Sequence, residues 1–321
     1  AGCVCMEPVN QTIVMEFILG GLPNTTKIPV VFFLLFLVVY LLTVLGNLLI
    51  FLTILSDTHL HTLPMYFYLG NLSFLDTCLS SVTVPKILAG LMVKTGRVIS
   101  FRCCMLQLYA FHFLASTECF LYTVMAYDRY LAICYPLHYT TIMNRRACFG
   151  LVLGIWLTGS IHAAIHTRLT IQLPYCGPNR IEYFFCDIPP VLKLACADTA
   201  NNKTVILANI GVVAAGCFVL ICVSYIYIAI AILKIQTVEG RRRAFSTCSA
   251  HLTVVLLYYG PPVFIYMRPS SSGFMNGAMA VFYTIITPML NPFIYTLRNM
   301  EVKKALRKLF YGQLVSQGHL R

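Results

Sequence analysis

The sequence predicts an all-α membrane protein: a seven-transmembrane helix bundle with a short amphipathic helix after the seventh span. Three observations carry that expectation. Of 321 residues, 59% are hydrophobic and only 11% charged, more apolar surface than a water-soluble fold can hide. Seven mostly apolar runs reach the roughly 20 residues that a helix needs to cross the hydrocarbon layer. Basic residues crowd the ends of these runs, chiefly on one side.

The runs extend approximately from Ile28 to Leu55, Leu63 to Met92, Phe101 to Cys134, Ala147 to His166, Thr204 to Leu233, Ala244 to Met267 and Met275 to Leu297. They divide the chain into an N-terminal segment (1–27), the bundle (28–297), and a C-terminal helix and tail (298–321). No stretch is left for a soluble catalytic domain. The N-terminus lacks the order of a cleaved leader, so the first run is expected to direct insertion itself. Arg145, Arg146, Lys234, Arg241, Arg242, Arg243, Arg298, Lys303, Lys304, Arg307 and Lys308 mark the cytoplasmic side. Lys94, Arg97, Arg102, Arg168, Arg180 and Lys193 make the bias less steep. An odd number of spans then places the N-terminus outside.

Sequons at Asn10 and Asn24, with a third at Asn202, agree with that orientation and mark Asn10 and Asn24 for glycosylation. A matching triplet at Asn71 falls inside the second run, out of a glycosylating enzyme's reach. Cys104, Cys176, Cys186 and Cys196 fall on the oxidising side, where disulfides persist. Four cysteines allow three pairings, and spacing alone does not choose among them. Cys78, Cys119, Cys134, Cys217, Cys222 and Cys248 sit within or at the ends of spans as small packing residues, and suggest no metal site. After the seventh run, Val302, Ala305, Leu306, Leu309 and Phe310 alternate with basic residues, the pattern of a helix lying on the inner leaflet. The net charge of +12 is then a matter of topology and lipid headgroups. The loops are too short for a nucleic-acid-binding surface.

Charges inside or at the ends of apolar runs are costly, and they mark function. Asp128-Arg129-Tyr130 closes the third run on the cytoplasmic side, where Arg129 is placed to meet the carbonyls at the end of a partner helix. Asp76 and Glu118 lie deeper, with Glu118 three helical turns from Arg129 on nearly the same face. Asn291-Pro292, followed by Tyr295, predicts a kink in the seventh span with its freed carbonyl satisfied by polar neighbours. Phe111, His112, Ala115, Ser116 and Cys119 follow helical spacing along one face of the third span, placing them on a bundle-facing ligand site.

Five segments carry a resemblance: Gly46-Asn47, Leu60 to Cys78, Met125 to Tyr139, Arg243 to Val255, and Pro288 to Asn299. In order and spacing, over about residues 6–310, they resemble the signatures of vertebrate olfactory (odorant) receptors, which are rhodopsin-like G-protein-coupled receptors. The resemblance implies that Ile206, Asn209, Val213, Tyr259, Val263, Tyr266, Ala280, Tyr283 and Thr284 join the third-span residues around the ligand. Tyr259 stands where the wider superfamily has a tryptophan; the only tryptophan here is Trp156. The pairing taken with the resemblance is Cys104–Cys186 and Cys176–Cys196. Asp76, Glu118, Asn47, Asn291 and Ser73 resemble the family's sodium pocket, and a proton shared between the two carboxyls is the competing reading. No other cofactor is implied.

One departure stands out. Where many rhodopsin-like receptors carry a carboxylate at the cytoplasmic end of the sixth helix, this chain has Arg241, Arg242 and Arg243. The resting restraint on Arg129 is therefore expected from Asp128 and Tyr225. The resemblance implies a small, mostly apolar volatile ligand, since Phe111 stands where amine receptors have an aspartate. It also implies coupling to a stimulatory, olfactory-type heterotrimeric G protein that raises cyclic AMP, in the plasma membrane of olfactory cilia. A small-solute transporter or channel is the alternative; it calls for inverted repeats or broken spans with midplane charges, and neither is found. An enzyme is not expected, because no nucleophile or oxyanion donor accompanies the carboxyl pair.

Overall fold

The computed structural model describes residues 14–21, 28–196, 200–267, 279–298 and 301–309. The long helices are α1 (Ile28–Ser56), α2 (Pro64–Met92), α3 (Phe101–Cys134), α4 (Arg145–Ile171), α5 (Ala200–Leu233), α6 (Val238–Met267) and α7 (Thr287–Arg298). A shorter α8 covers residues 301–309. Single-turn helices at Thr58–Thr62, Tyr139–Ile142 and Ile188–Leu192 sit in the connections. The helix α3 is central, packing against α2, α4 and α5 and touching α6, while α1 lies along α2 and α7.

By length and composition alone, four described helical stretches can cross a membrane: Val30–Ser56, Pro64–Met92, Arg145–Ile171 and Thr204–Leu233. The other expected spans differ for physical reasons. The helices α3 and α6 are long enough, at 34 and 30 residues, but carry polar side chains that turn inward: Gln107, His112, Glu118, Asp128 and His251 are all buried. The seventh is described only from residue 279. Helix ends also run past the apolar limits read from the sequence. Asn144 caps α4, its Oδ1 accepting the Ala147 amide at 3.0 Å, so α4 starts two residues before Ala147. Likewise α6 starts at Val238 and carries Arg241 and Arg242 on helix beyond the apolar run.

A three-stranded sheet, unforeseen in the sequence, covers one end of the helices. Its centre is β1 (Glu16–Leu19), antiparallel to β2 (Val98–Ser100) and parallel to β3 (Arg180–Ile181). Phe17 anchors it, fully buried, with its ring 5.9 Å from both Phe101 and Tyr175. The disulfides Cys104–Cys186 and Cys176–Cys196 lie at this same end. It is called the disulfide end below, and the opposite one the Arg129 end.

Pro292 lies inside α7 and has no N–H, so the Pro288 carbonyl four residues earlier loses its helical partner. Asn47 of α1 supplies one: its Nδ2 donates to Pro288 O at 3.0 Å and to its own helix at Thr43 O, also 3.0 Å. Gly46 makes the approach feasible, because a Cβ there would stand 3.3 Å from the Pro292 ring. Just before α7, Phe282–Ile286 forms a π-helical turn, a further local loosening. Asn47→Leu is expected to cost about 1 kcal/mol or more by orphaning that carbonyl. A melting temperature equal to wild type would contradict this.

Candidate ligand site and inner switch

Toward the disulfide end, the connection between α4 and α5 folds down over α3. Cys186 is tied to Cys104 at the start of α3, and its amide donates to Gln107 Oε1 at 3.0 Å. That pins the neighbours on either side. The Phe185 ring, fully buried, lies 4.9 Å from Phe111. Asp187 Oδ1 stands 3.1 Å from His112 Nε2 and also accepts the Ile188 amide at 2.8 Å.

Below this roof the α3 face expected from the sequence makes the cross-helix contacts. Tyr258 of α6 donates its hydroxyl to Ala115 O at 2.9 Å and accepts from the Cys119 thiol at 3.5 Å. Tyr259 is buried with its ring 5.3 Å from Phe218 of α5, and its hydroxyl has no partner among the described residues. Ser116 Oγ is 2.9 Å from His162 Nδ1 of α4. Asn209 of α5 reaches His166 of α4 at 3.2 Å. Ile206 is buried, and Val213 and Tyr283 are half-buried. Ala280 and Thr284 are buried and joined within their own helix at 2.6 Å. The side chains of Val263 and Tyr266 lie outside the described residues, as do Asn10 and Asn24.

Three residues at this site were not singled out by sequence reading. His162 and His166 look like isolated histidines in an apolar run, although their i, i+4 spacing puts them on one face. Tyr258 makes the hydrogen-bonded α3–α6 contact, whereas the family resemblance points to its neighbour Tyr259.

At mid-depth, a buried polar network joins α2, α3 and α7. Asn291 Nδ2 donates to Asp76 Oδ2 at 2.8 Å and to the Tyr122 hydroxyl at 3.4 Å, and Tyr122 donates to Glu118 Oε1 at 2.7 Å. Among the described residues, Asn47 Oδ1, Asp76 Oδ1, Ser80 Oγ, Glu118 Oε2 and Asn291 Oδ1 are buried with no donor, and the Asp76 and Glu118 carboxyls lie within hydrogen-bonding reach of each other once one holds a proton. Ser73 is buried beside them in sequence. An all-oxygen set with two carboxyl groups fits a hard cation. No group of three His, Cys, Asp or Glu side chains that could hold a metal occurs among the described residues.

At the Arg129 end the expected restraint takes another form. No ion pair joins Asp128 to Arg129 among the described residues. Adjacent residues on a helix point about 100° apart, so the two side chains find separate partners. Asp128 Oδ1 accepts the Tyr139 hydroxyl at 2.8 Å, and Arg129 Nη2 donates to the Met65 thioether of α2. Burial and the Asp128 charge raise the Tyr139 phenol above its ordinary value, keeping its proton in place to donate. Nor does Tyr225 bond Arg129. It hydrogen-bonds His251 Nδ1 at 2.7 Å with the rings stacked at 5.7 Å, fastening α5 to α6. Tyr130 packs its ring against Tyr135 and Tyr227, at 5.6 and 5.8 Å. Tyr295 is buried with a hydroxyl that has no partner among the described residues. Tyr225→Phe removes a bond worth about 1 kcal/mol, roughly a fivefold change in an equilibrium. Ligand-free signalling is expected to rise; unchanged basal and evoked signals would remove Tyr225 from the switch.

A cavity of about 540 Å³ lies elsewhere, between α3 and α4 beside Tyr127, Met143, Gly150 and Gly154. Its mostly apolar lining, Phe120 and Thr158 included, carries none of the residues expected to face the ligand.

The family model described as olfactory receptor matches residues 36–313. Among curated relatives, human olfactory receptor 10S1 is 65% identical over 303 residues, covering 94% of this chain and 91% of the relative. Human olfactory receptor 10G7 is 60% identical over 309 residues, covering 96% and 99%. Human olfactory receptor 10G4 is 59% identical over 300 residues, covering 94% and 96%. With the disulfide-pinned roof over α3, the buried α2–α3–α7 network and the Arg129 end all falling within the matched region, the chain belongs to the olfactory receptor family.

Proposed function

We propose that this protein is an odorant receptor that binds small, mostly apolar volatile molecules among α3, α5, α6 and α7 and activates a stimulatory, olfactory-type G protein, raising cyclic AMP. It sits as a seven-span bundle (28–297) in the plasma membrane of olfactory cilia, with 1–27 outside and 298–321 on the cytoplasmic face. One observation carries the mechanism: a chain of contacts runs from the ligand-facing residues to the Arg129 end. Cys119 and Ala115 hold Tyr258; the Tyr258 ring lies 5.1 Å from Tyr122; Tyr122 lies 6.1 Å from His251; and His251 is bonded to Tyr225.

A ligand that favours a different seating of Tyr258 and Tyr259 shifts α6 against α3, and it acts only through its differential affinity for the two arrangements. Loss of the Tyr225–His251 contact then lets α6 part from α5, and Arg129 exchanges the Met65 thioether for carbonyls of the G protein. Sodium, held by Asp76, Glu118, Asn47, Asn291 and Ser73, would supply positive charge that steadies the resting packing. Replacing sodium with choline in membrane assays is expected to raise basal activity in wild type and not in Asp76→Asn; dependence on pH alone would favour a shared proton.

A cyclic AMP reporter screened across odorants in cells expressing wild type and Arg129→Ala tests the function. Evoked signal in wild type only is expected. Equal signal in both, or solute flux without cyclic AMP, would overturn the assignment.

A further inference from the structure

We propose that His162 and His166 of α4, with Asn209 of α5, bind a borderline divalent transition metal such as Zn²⁺ beside the ligand site. Four residues apart, the imidazoles stand on one helix face, one turn above the other. Their ring centres are 4.4 Å apart, and the two Nε2 atoms face each other at 3.1 Å. Two nitrogens on one tetrahedral zinc, each about 2.0–2.1 Å from it, stand about 3.3 Å apart, so a small side-chain rotation brings the pair to chelating distance. Asn209 Oδ1 lies 3.2 Å from the same His166 Nε2 and adds a donor from a second helix. Ser116 Oγ, 2.9 Å from His162 Nδ1, occupies the place from which a ligand imidazole is oriented.

The proton arrangement points the same way. Without metal, one neutral assignment satisfies every contact: His166 holds its hydrogen on Nε2, shared between His162 Nε2 and Asn209 Oδ1, and His162 holds its own on Nδ1 toward Ser116. Two inward-facing nitrogens and an amide oxygen thus depend on a single hydrogen. His166 is 1% exposed, and among the described residues its Nδ1 has no partner, so either tautomer leaves that atom unpaired and the choice between them falls to the groups around Nε2. Metal binding moves the His166 hydrogen from Nε2 to Nδ1, so both rings stay neutral, both Nε2 lone pairs go to the ion, and no proton is released. Imidazole ligands select zinc, copper or nickel over magnesium and calcium, which prefer oxygen. Because Ser116 belongs to α3, the two imidazoles to α4 and Asn209 to α5, an occupied chelate ties these three helices together beside Ser116.

The site goes beyond odorant recognition, and its test needs no odorant. Purified full-length receptor is titrated with Zn²⁺ alone, followed by calorimetry and by melting temperature, since an ion that binds the folded state raises the melting point. Saturable binding of one equivalent with a raised melting temperature is expected, and no such response to Mg²⁺. His162→Gln and His166→Gln should each weaken binding about tenfold or more, at least the loss that changes outside the first coordination sphere cause. Removing His59 and His61 together, as His59→Gln with His61→Gln, should leave the affinity unchanged. A wild-type receptor whose melting ignores Zn²⁺, or an affinity that survives both α4 substitutions, overturns the proposal. The wild-type melting result decides even where a variant fails to fold.

Discussion

Cys186→Ser is expected to abolish odorant-evoked signalling and most delivery to the cell surface. The Cys104–Cys186 bridge closes a sequence separation of 82 residues, and loss of a native disulfide of this kind costs about 2–5 kcal/mol. Set against a total stability of about 5–15 kcal/mol, that is a large fraction. The loss is also local. Cys186 positions Phe185 against Phe111 and Asp187 against His112, so the roof over the ligand-facing part of α3 goes with it. The Cys176–Cys196 bridge spans only 20 residues and should matter less, because a shorter loop restrains the unfolded chain less. Surface staining together with a cyclic AMP reporter checks both. Normal staining and signalling in Cys186→Ser, or a larger loss in Cys176→Ser, would contradict this.

Asn291→Leu should be the most damaging single change at mid-depth. Its amide is the donor to Asp76 and reaches Tyr122, which in turn donates to Glu118. Removing one member of such a network exposes every other to the cost of unpaired burial, about 1–3 kcal/mol per group and more where charge is involved. The expected result is a receptor of lowered melting temperature that no longer transmits from the ligand site to the Arg129 end. Asn291→Asp keeps an oxygen at this position and should recover sodium dependence before it recovers stability. Wild-type melting and evoked signal in Asn291→Leu would show that α7 is not held through Asp76.

The helical framework was legible because burial in hydrocarbon writes itself as length and composition: α1, α2, α4 and α5 stand on that ground alone. The sheet was not. Glu16–Leu19 is four residues long, and its partners lie at Val98–Ser100 and Arg180–Ile181, so no local pattern announces it. The freed carbonyl before Pro292 was legible from proline's missing N–H, and the sequence also named Asn47, though for a cation rather than for the Pro288 carbonyl it meets. Adjacent charges misled: Asp128 and Arg129 touch in sequence yet diverge around the helix, and Tyr139 and Met65 become their partners. Tyr258, His162 and His166 needed three dimensions, since each takes its meaning from a neighbouring helix. Ile206 and Thr284 were placed by family resemblance, and the structure gives them burial.

The central claim is that occupancy of the site beneath Phe185 is transmitted through Tyr258, Tyr122 and His251 to Arg129. Guanine-nucleotide exchange on a stimulatory G protein, measured with purified receptor and an odorant found active in cells, tests it most directly. The account predicts odorant-dependent exchange in wild type, and in Arg129→Ala none even though the odorant still binds. Exchange that proceeds equally without Arg129, or odorant binding that never accelerates exchange in wild type, would contradict it.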